Sequence, residues 1–348
     1  MTSNRRDILE RASATAVIST VGLAGATTVG AHPRPRPAVD DGLPEYSRWL
    51  TLDTGDLEFV SVDWETVGEY VEDELEQAQT EDDPELPAEF EADPMIAPVS
   101  EGMISMYFFI GLTLAPYGLG RLLDETTFES TPQDLVLTDA TFVATGIDAA
   151  EIDAQLTQET GIEFIRQFER TDEIGEYDVY TSVEDVEEDD VMIAVGDEAL
   201  VVADSMAVDA SDDSMAILET AIGASDGEID RATDESESFE WLVETGGHGD
   251  VTVGQHGDPV EDDVFVDLDF EGLEDAEGIV SSLTVEDETT STGDFVAIID
   301  NPDEDALEDF VGASGEDQSV SVDGDRVTAT ATWREETVTG TQSLQFLK

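Results

Sequence analysis

The chain contains no cysteine, which excludes disulfide bonds, thiolate nucleophiles, iron–sulfur clusters and cysteine-ligated zinc. The same absence excludes a membrane anchor attached through a lipid-modified cysteine. Lysine is almost as scarce, because Lys348 is the sole lysine among 13 basic residues. Three histidines are present, so any nitrogen-ligated transition metal would have to use them.

Acidic residues dominate what is present. Asp and Glu number 86 against 13 Lys and Arg in 348 residues, for a formal net charge of −73 at pH 7. Hydrophobic residues still make up 40% of the chain, enough to bury a core. Because molar salt shortens the screening length to ~3 Å, we expect this protein to work in concentrated brine with inorganic cations as partners. Nucleic acids and anionic lipid head groups need clustered Arg and Lys, so the composition disfavours them.

The first 31 residues have the layout of an export signal. Arg5 and Arg6 precede a charge-free run from Ala12 to Ala31 that is rich in small residues and poor in leucine. This layout resembles twin-arginine signal peptides, and the resemblance implies folding before export and cleavage near Ala31. A membrane helix that stays uncleaved is the alternative. The expected location is therefore extracellular or in the cell envelope.

A proline-rich linker over 32–45 follows the signal. Cleavage would make His32 the terminal residue, and a terminal histidine can chelate copper through its amine and its ring. In the residues that follow His32, however, every second residue is a proline. Prolines keep such a spacer extended and away from a packed site. We therefore favour a plain spacer.

The rest of the chain predicts an α+β fold. Short strands separated by tight turns indicate antiparallel hairpins, and helices lie between them in sequence. We expect antiparallel sheets with helices packed on one face, in two similar-sized subdomains over 46–232 and 233–348. One strand is predicted at 135–143, and a helix that starts near 211 is predicted to be capped by Gly223.

A run of 19 residues without charge, 102–120, is long enough to cross a membrane. Pro116 and three glycines interrupt it, so we predict a buried hydrophobic helix near 94–114 as the centre of the first core. Docking onto a partner or a membrane is the alternative role for 102–120.

Several strand-and-turn sequences are similar to those of an uncharacterised family of haloarchaeal twin-arginine-exported proteins. The resemblance covers most of the mature chain and implies no established activity or catalytic residues. The sequences that carry it are 46–50 (YSRWL), 142–146 (FVATG), 177–180 (YDVY), 195–202 (VGDEALVV) and 322–330 (VDGDRVTAT).

One candidate metal site rests on a repeated His-Gly-Asp sequence. His248 and Asp250 are followed eight residues later by His256 and Asp258. Two imidazoles and two carboxylates at the distance of a hairpin could bind zinc or another divalent metal. Exposed turn residues are the alternative, because glycine and aspartate are ordinary turn residues.

Two further patterns suggest hydrolytic chemistry. Ser225 lies in a Gly-x-Ser-x-Gly sequence, but a nucleophilic serine there needs a strand before the turn and a helix after it. Asp267, Asp269 and Glu271 alternate on one predicted strand, and paired carboxylates can serve glycoside hydrolysis. In so acidic a chain we interpret these carboxylates as a hydrated outer face.

We therefore expect an exported, non-catalytic binding or structural component. A metal-dependent hydrolase using His248 and His256 is the first alternative, and a membrane-associated subunit docking through 102–120 is the second.

Overall fold

A computed structural model describes residues 42–52, 55–68, 90, 92–124, 127–159, 164–183, 191–203, 214–257, 266, 268, 270, 272–273, 276–287 and 289–334. The predicted signal, the linker up to residue 41, Asp258 and the three alternating carboxylates at 267–271 lie outside these residues.

The described strands form one twelve-stranded sheet in which every neighbouring pair is antiparallel. The spatial order is β11-β12-β10-β9-β8-β1-β2-β3-β7-β6-β5-β4. The strands are β1 Leu57–Asp63, β2 Asp134–Thr138, β3 Thr141–Thr145, β4 Phe168–Ile174, β5 Tyr177–Ser182, β6 Met192–Val195, β7 Ala199–Ala203, β8 Val251–His256, β9 Ala276–Asp287, β10 Thr290–Ile299, β11 Glu316–Asp323 and β12 Arg326–Arg334.

Helices connect these strands, which confirms the α+β class with antiparallel pairing. They are α1 Ala97–Phe108, α2 Ala149–Thr157, α3 Ser214–Asp226, α4 Ala232–Glu235, α5 Glu237–Gly246 and α6 Glu304–Glu308. Short 3-10 helices lie at Glu45–Trp49 and Ala115–Tyr117, a π-helical turn lies at Phe109–Thr113, and residues 64–68 are also helical.

The two expected halves of the chain share this sheet. β1 pairs with β2 on one side and with β8 on the other, with Val60 opposite Leu137 and Val253. The sheet therefore runs without a break across the boundary that we expected near residue 232. Local patterns could not show this, because the β1–β8 pair joins strands far apart in sequence.

Apolar side chains pack on both faces of the sheet, whereas the sequence had led us to expect helices on one face. On β1, Val60 and Val62 point into one core, and Leu57 and Phe59 point into the other, as the period of a strand requires. The first core contains α1 and α2, and the second contains α3 and α5.

Residues 134–145 form a hairpin, so the single strand predicted over 135–143 is wrong. The Thr138 hydroxyl accepts hydrogen bonds from the backbone N–H groups of Ala140 (3.2 Å) and Thr141 (2.9 Å). This side-chain turn reverses the chain without glycine or proline, the residues on which turn prediction depends.

The predicted hydrophobic helix is confirmed in its main part as α1, extended by the π-helical turn. Val99 and Met106 are fully or almost fully buried. No helix in the described part of the chain is both long and apolar enough to cross a membrane.

A buried carboxylate holds α1 to the far end of the sheet. Asp93 is 1% exposed and accepts hydrogen bonds from the backbone N–H groups of Met95 (3.0 Å), Gly312 (2.9 Å) and Ser314 (3.0 Å). The Ser314 hydroxyl donates a fourth at 2.6 Å and accepts one from the indole N–H of Trp333. These bonds compensate for the burial of the charge.

Candidate functional site

The two His-Gly-Asp sequences lie at opposite ends of β8. His248 is exposed before the strand, whereas His256 is its last residue and is 6% exposed. From Asp250 to His256 an extended chain covers about 20 Å, at ~3.3 Å per residue. Since zinc–nitrogen bonds are ~2 Å long, one metal ion cannot contact both imidazoles. The expected hairpin distance is therefore wrong, because the residues between the two sequences form a strand.

Asp250 has a structural role in the sheet. Its carboxylate accepts a hydrogen bond from the backbone N–H of Val285 at 2.7 Å, and its backbone N–H donates to Leu283. Asp258, the fourth predicted ligand, lies outside the described residues. Among the residues that the structure describes, no group of three or more His, Asp or Glu side chains is arranged to hold a metal ion.

His256 belongs instead to a chain of polar side chains at the start of α5. Its Nε2 atom lies 3.2 Å from the Ser236 hydroxyl, which lies 2.9 Å from the Ser238 hydroxyl. The Ser238 hydroxyl donates to the carboxylate of Glu277 at 2.7 Å. The Ser236 oxygen also caps α5 by accepting from the backbone N–H of Phe239 at 3.2 Å.

Each serine hydroxyl has one proton to donate, and this fixes the direction of the hydrogen bonds between His256 and Glu277. Ser238 gives its one proton to Glu277, so Ser236 must donate to Ser238, and His256 Nε2 must carry the proton that Ser236 accepts. His256 is thus the Nε2–H tautomer, with a lone pair on Nδ1 that has no partner among the described residues. A histidine that donates to a serine cannot act as its general base, so Ser236 is not arranged as a nucleophile.

Burial lowers the pKa of His256 below its ordinary value of 6.5, while the negative charges of Glu277 and Asp56 act in the opposite direction. The imidazole packs beside Phe239, with ring centroids 5.4 Å apart. A second ring proton would appear on Nδ1, next to Gly278 and without an acceptor in the described part. The neutral form is therefore favoured.

Ser225 lies inside α3 and is 8% exposed. α3 runs through Gly223, the expected cap, to Asp226, and the left-handed residue after it is Gly227, at φ 74°. The strand-to-helix turn that a nucleophilic serine needs is absent around Ser225 in the described structure.

The most unusual surface feature is a group of exposed apolar side chains. In the described structure four large hydrophobic side chains are exposed: Leu112 (62%), Phe164 (62%), Val183 (49%) and Ile229 (40%). We define the first three as the apolar surface. Leu112 lies in the π-helical turn after α1, where the neighbouring Gly111 is also exposed. Such turns are frequent at functional sites.

Two backbone hydrogen bonds bring the three segments of the apolar surface together. The N–H of Arg166 donates to the carbonyl of Pro116 at 2.7 Å, and the N–H of Val183 donates to the carbonyl of Gln167 at 2.9 Å. Below this junction, the rings of Tyr117 and Phe168 meet edge to face at 5.7 Å. Leu112, Phe164 and Val183 therefore lie on neighbouring segments.

The segments of the apolar surface also lack carboxylates. Residues 102–123, 164–168 and 179–183 contain no Asp or Glu, although these make up 86 of the 348 residues of the chain. They contain two basic residues, Arg121 and Arg166. Arg121 is exposed and pairs with Asp124, just beyond the first segment.

Sequence patterns missed most of this arrangement. The charge-free run pointed to residues 102–120, but it contains neither Phe164 nor Val183. A signal for the polar chain existed in Ser236, which stands directly before the apolar pattern of α5, as helix caps do. No local pattern connects Ser236 with Glu277.

Comparison with known protein families finds no matching family model, and no curated protein matches the sequence. Among solved structures, "Structure of crystal form I of TP0453" shares 10% identity over 86% of this chain and 97% of its own, with a TM-score of 0.42. "Structure of crystal form III of TP0453" shares 10% identity over 85% of this chain and 96% of its own, with a TM-score of 0.41. Similarity at this level carries no functional argument, and the resemblance to an exported haloarchaeal family stays a prediction.

Proposed function

We propose that this chain is an exported protein of concentrated brine that acts by binding, as a non-catalytic component of the cell envelope or the surrounding medium. The apolar surface carries this proposal. Exposed apolar patches on soluble proteins commonly mark interaction sites. Of the four large hydrophobic side chains that are exposed in the described structure, three lie on neighbouring segments that contain no Asp or Glu, in a chain with net charge −73.

The rest of the surface supports a role in brine. Its carboxylates attract inorganic cations and repel nucleic acids, since phosphate contacts need clustered basic residues. The few arginines are used locally, as in the pair between Arg334 and Glu316. We expect hydrated cations, and no nucleic acid, around this coat.

The apolar surface also favours one of the two alternatives. Gly111 and Leu112, inside the charge-free run 102–120, are exposed, which supports docking through that run. The metal-dependent hydrolase is not supported, because His248 and His256 lie at opposite ends of β8.

Co-sedimentation with cell envelopes in molar KCl tests this proposed function. We expect the wild-type protein to pellet with envelopes of a brine-adapted cell and the double variant Leu112→Ser/Phe164→Ser to stay in solution. Ile229→Ser is the matched control, because it removes an exposed apolar side chain outside the apolar surface. Loss of binding in the control as well, or no binding by the wild type, would contradict the proposal.

A further inference from the structure

We infer that the chain is an internal duplication, in which two copies of one α+β unit share the sheet and the apolar surface lies on connections that are extended in the first copy. The first copy runs from the 3-10 helix Glu45–Trp49 to β7, and the second runs from α5 to β12. For the role of the apolar surface the inference rests on the proposed function, and it separates the parts of the fold that bind from those that support them.

Both copies have the same strand order. Read outward from the centre of the sheet, the first copy begins β1-β2-β3-β7-β6, and the second runs β8-β9-β10-β12-β11. In each copy a helix follows the third strand, and the last strand returns to pair with that third strand. α2 and α6 pack in one core, whereas the Glu45–Trp49 helix and α5 pack in the other. Counterparts therefore lie on the same face, as a twofold axis perpendicular to the sheet requires.

The sequences of the two third strands match. Residues 142–144 of β3 and 295–297 of β10 both have the sequence Phe-Val-Ala, and all six residues are buried. After each strand comes a left-handed residue, Gly146 in one copy and Asn301 in the other. Two positions later, an aspartate side chain caps the helix that follows. The two copies thus share a sequence, a backbone turn and a helix cap in the same order.

The hairpins that return to these strands have the same register. Phe142 lies opposite Val202, and Phe295 lies opposite Ala329. Two positions before Val202 and Ala329 comes the apolar pair that flanks each hairpin turn, and four residues separate its members in both copies. These pairs are Leu200 with Val195 and Val327 with Val322.

The two copies meet as the subunits of a symmetric dimer do. In the first copy, the paired residues lead inward from the matched phenylalanine through Leu137 to Val60. In the second copy, they lead through Ser281 to Val253. Val60 and Val253 are therefore counterparts, and they lie opposite each other in the β1–β8 pair. A twofold interface brings a residue on its axis against its own counterpart in this way.

The first copy differs from the second in two connections. Residues 64–133, which include α1, join β1 to β2, whereas residues 257–275 join β8 to β9. Between α2 and β6 the first copy adds the hairpin β4–β5, whereas residues 309–315, all of them described, connect α6 to β11 without a strand. Leu112 lies in the first extended connection, and the other two members of the apolar surface lie in the second. The apolar surface therefore lies where the first copy departs from the shared unit.

The hairpin β4–β5 is the extension that the shared unit does not need. α1 lies across the axis, where Gly102 packs against both Val60 and Val253, so it is part of the core. β4 and β5 lie instead at one edge of the sheet, beyond β6. Because the second copy has no such hairpin in its described connection, we expect the shared unit to fold without it. Binding residues are often carried on connections that a rigid scaffold positions.

Replacement of the extra hairpin tests the inference. In the hairpin-deletion variant of the full chain, residues 158–191 are replaced by a copy of residues 309–318, so that β6 follows α2 as β11 follows α6. We expect this variant to unfold cooperatively in molar KCl, at a lower midpoint than the wild type because part of the first core is lost. Its binding to envelopes should fall about tenfold or more, because it lacks Phe164 and Val183.

The matched control removes a hairpin that both copies share. In this control, residues 192–203, which contain β6 and β7, are replaced by the same sequence. Because β7 pairs with β3 as β12 pairs with β10, its removal interrupts the shared unit. We expect the control to show no cooperative unfolding transition.

Hydrogen exchange in the wild type provides a second measurement that needs no deletion. Weakly supported parts of a fold exchange through local opening, before global unfolding exposes the rest. β11 is the proper comparison for β4, because both are edge strands and β11 belongs to the shared unit. We expect the hydrogen-bonded amides of β4 and β5 to exchange at least about tenfold faster than those of β11.

The outcomes separate the inference from the proposed function. A folded hairpin-deletion variant that no longer pellets with envelopes supports both. If that variant does not fold, faster exchange in β4 and β5 keeps the inference and equal exchange overturns it, while the Leu112→Ser/Phe164→Ser variant still tests the proposed function. A folded hairpin-deletion variant that binds envelopes as the wild type does would contradict the proposed function and leave the duplication intact.

Discussion

The carboxylate of Asp93 accepts a hydrogen bond from the backbone N–H of Gly312 at 2.9 Å, across 219 positions of the chain. Together with three other hydrogen bonds to the same carboxylate, it connects the segment before α1 to the turn before β11. Asp93 is 1% exposed, and its carboxylate accepts four hydrogen bonds from described residues.

Replacement of Asp93 should destabilise the protein. In Asp93→Asn the amide nitrogen replaces one acceptor oxygen and faces N–H or O–H donors, so at least one buried donor loses its partner. We expect the free energy of unfolding to fall by about 1–3 kcal/mol, measured by chemical denaturation in molar KCl. Asp325→Asn, at an exposed turn residue, is the control and should change it by less than about 0.5 kcal/mol. Equal stability of the two variants would show that the Asp93 bonds contribute nothing.

His256 should make stability depend on pH. Because burial lowers its pKa in the folded state, the unfolded chain binds a proton first as the pH falls. The contribution of His256 is therefore complete above pH 6.5 and is lost below it, by at most about 1.4 kcal/mol per pH unit. Denaturation curves between roughly pH 6.5 and pH 5 measure this slope, above the range of ordinary carboxylates.

Two variants test whether His256 is the group that makes the stability depend on pH in this range. His256→Gln can still donate to Ser236 but does not titrate, so its slope in this range should be smaller than that of the wild type. His248→Gln, at the other end of β8, is the matched control. A slope that persists in His256→Gln would assign the effect to another group.

Ser236→Ala should cost more stability than Ser238→Ala. The first change removes the cap of α5 and leaves the N–H of His256 without its acceptor, and loss of a cap alone costs about 1 kcal/mol. The second removes only the bridge between Ser236 and Glu277. Thermal denaturation in molar salt compares the stabilities of the two variants. A greater loss of stability in Ser238→Ala would mean that Ser236 does not connect the helix cap to the hydrogen bonds between His256 and Glu277.

Zinc should not bind through the two histidines together. Since they lie at opposite ends of β8, we expect His248→Ala and His256→Ala to leave the zinc content of the purified protein unchanged. Elemental analysis after dialysis in molar KCl provides the measurement. Stoichiometric zinc that disappears in both variants would restore the hydrolase hypothesis.

Local patterns predicted those parts of the fold that local physics determines. The alternation of Val327, Ala329, Ala331 and Trp333 puts them on one face of β12, and all four are buried. Asp148 has a side chain typical of helix caps, and it caps α2 by accepting from the N–H groups of Ala150 and Glu151. A short-range pattern suffices in both cases because the period or the cap lies within a few residues.

The failures concern contacts between distant residues. The shared sheet depends on the β1–β8 pair, and the anchor at Asp93 depends on Gly312 and Ser314. The metal hypothesis assumed a hairpin between the two histidines, whereas the residues between them form β8. Spacing alone does not distinguish a turn from a strand of six residues.

The position of β1 at the centre of the sheet has a consequence for biosynthesis. A nascent chain that ends before residue 251 contains β1 and β2 but not β8, so one side of β1 has no strand to satisfy its backbone groups. Unpaired edges of this kind attract other chains. The ribosome must therefore release nearly three quarters of the polypeptide before its first strand is protected, and a fragment cut near residue 232 would be prone to aggregate.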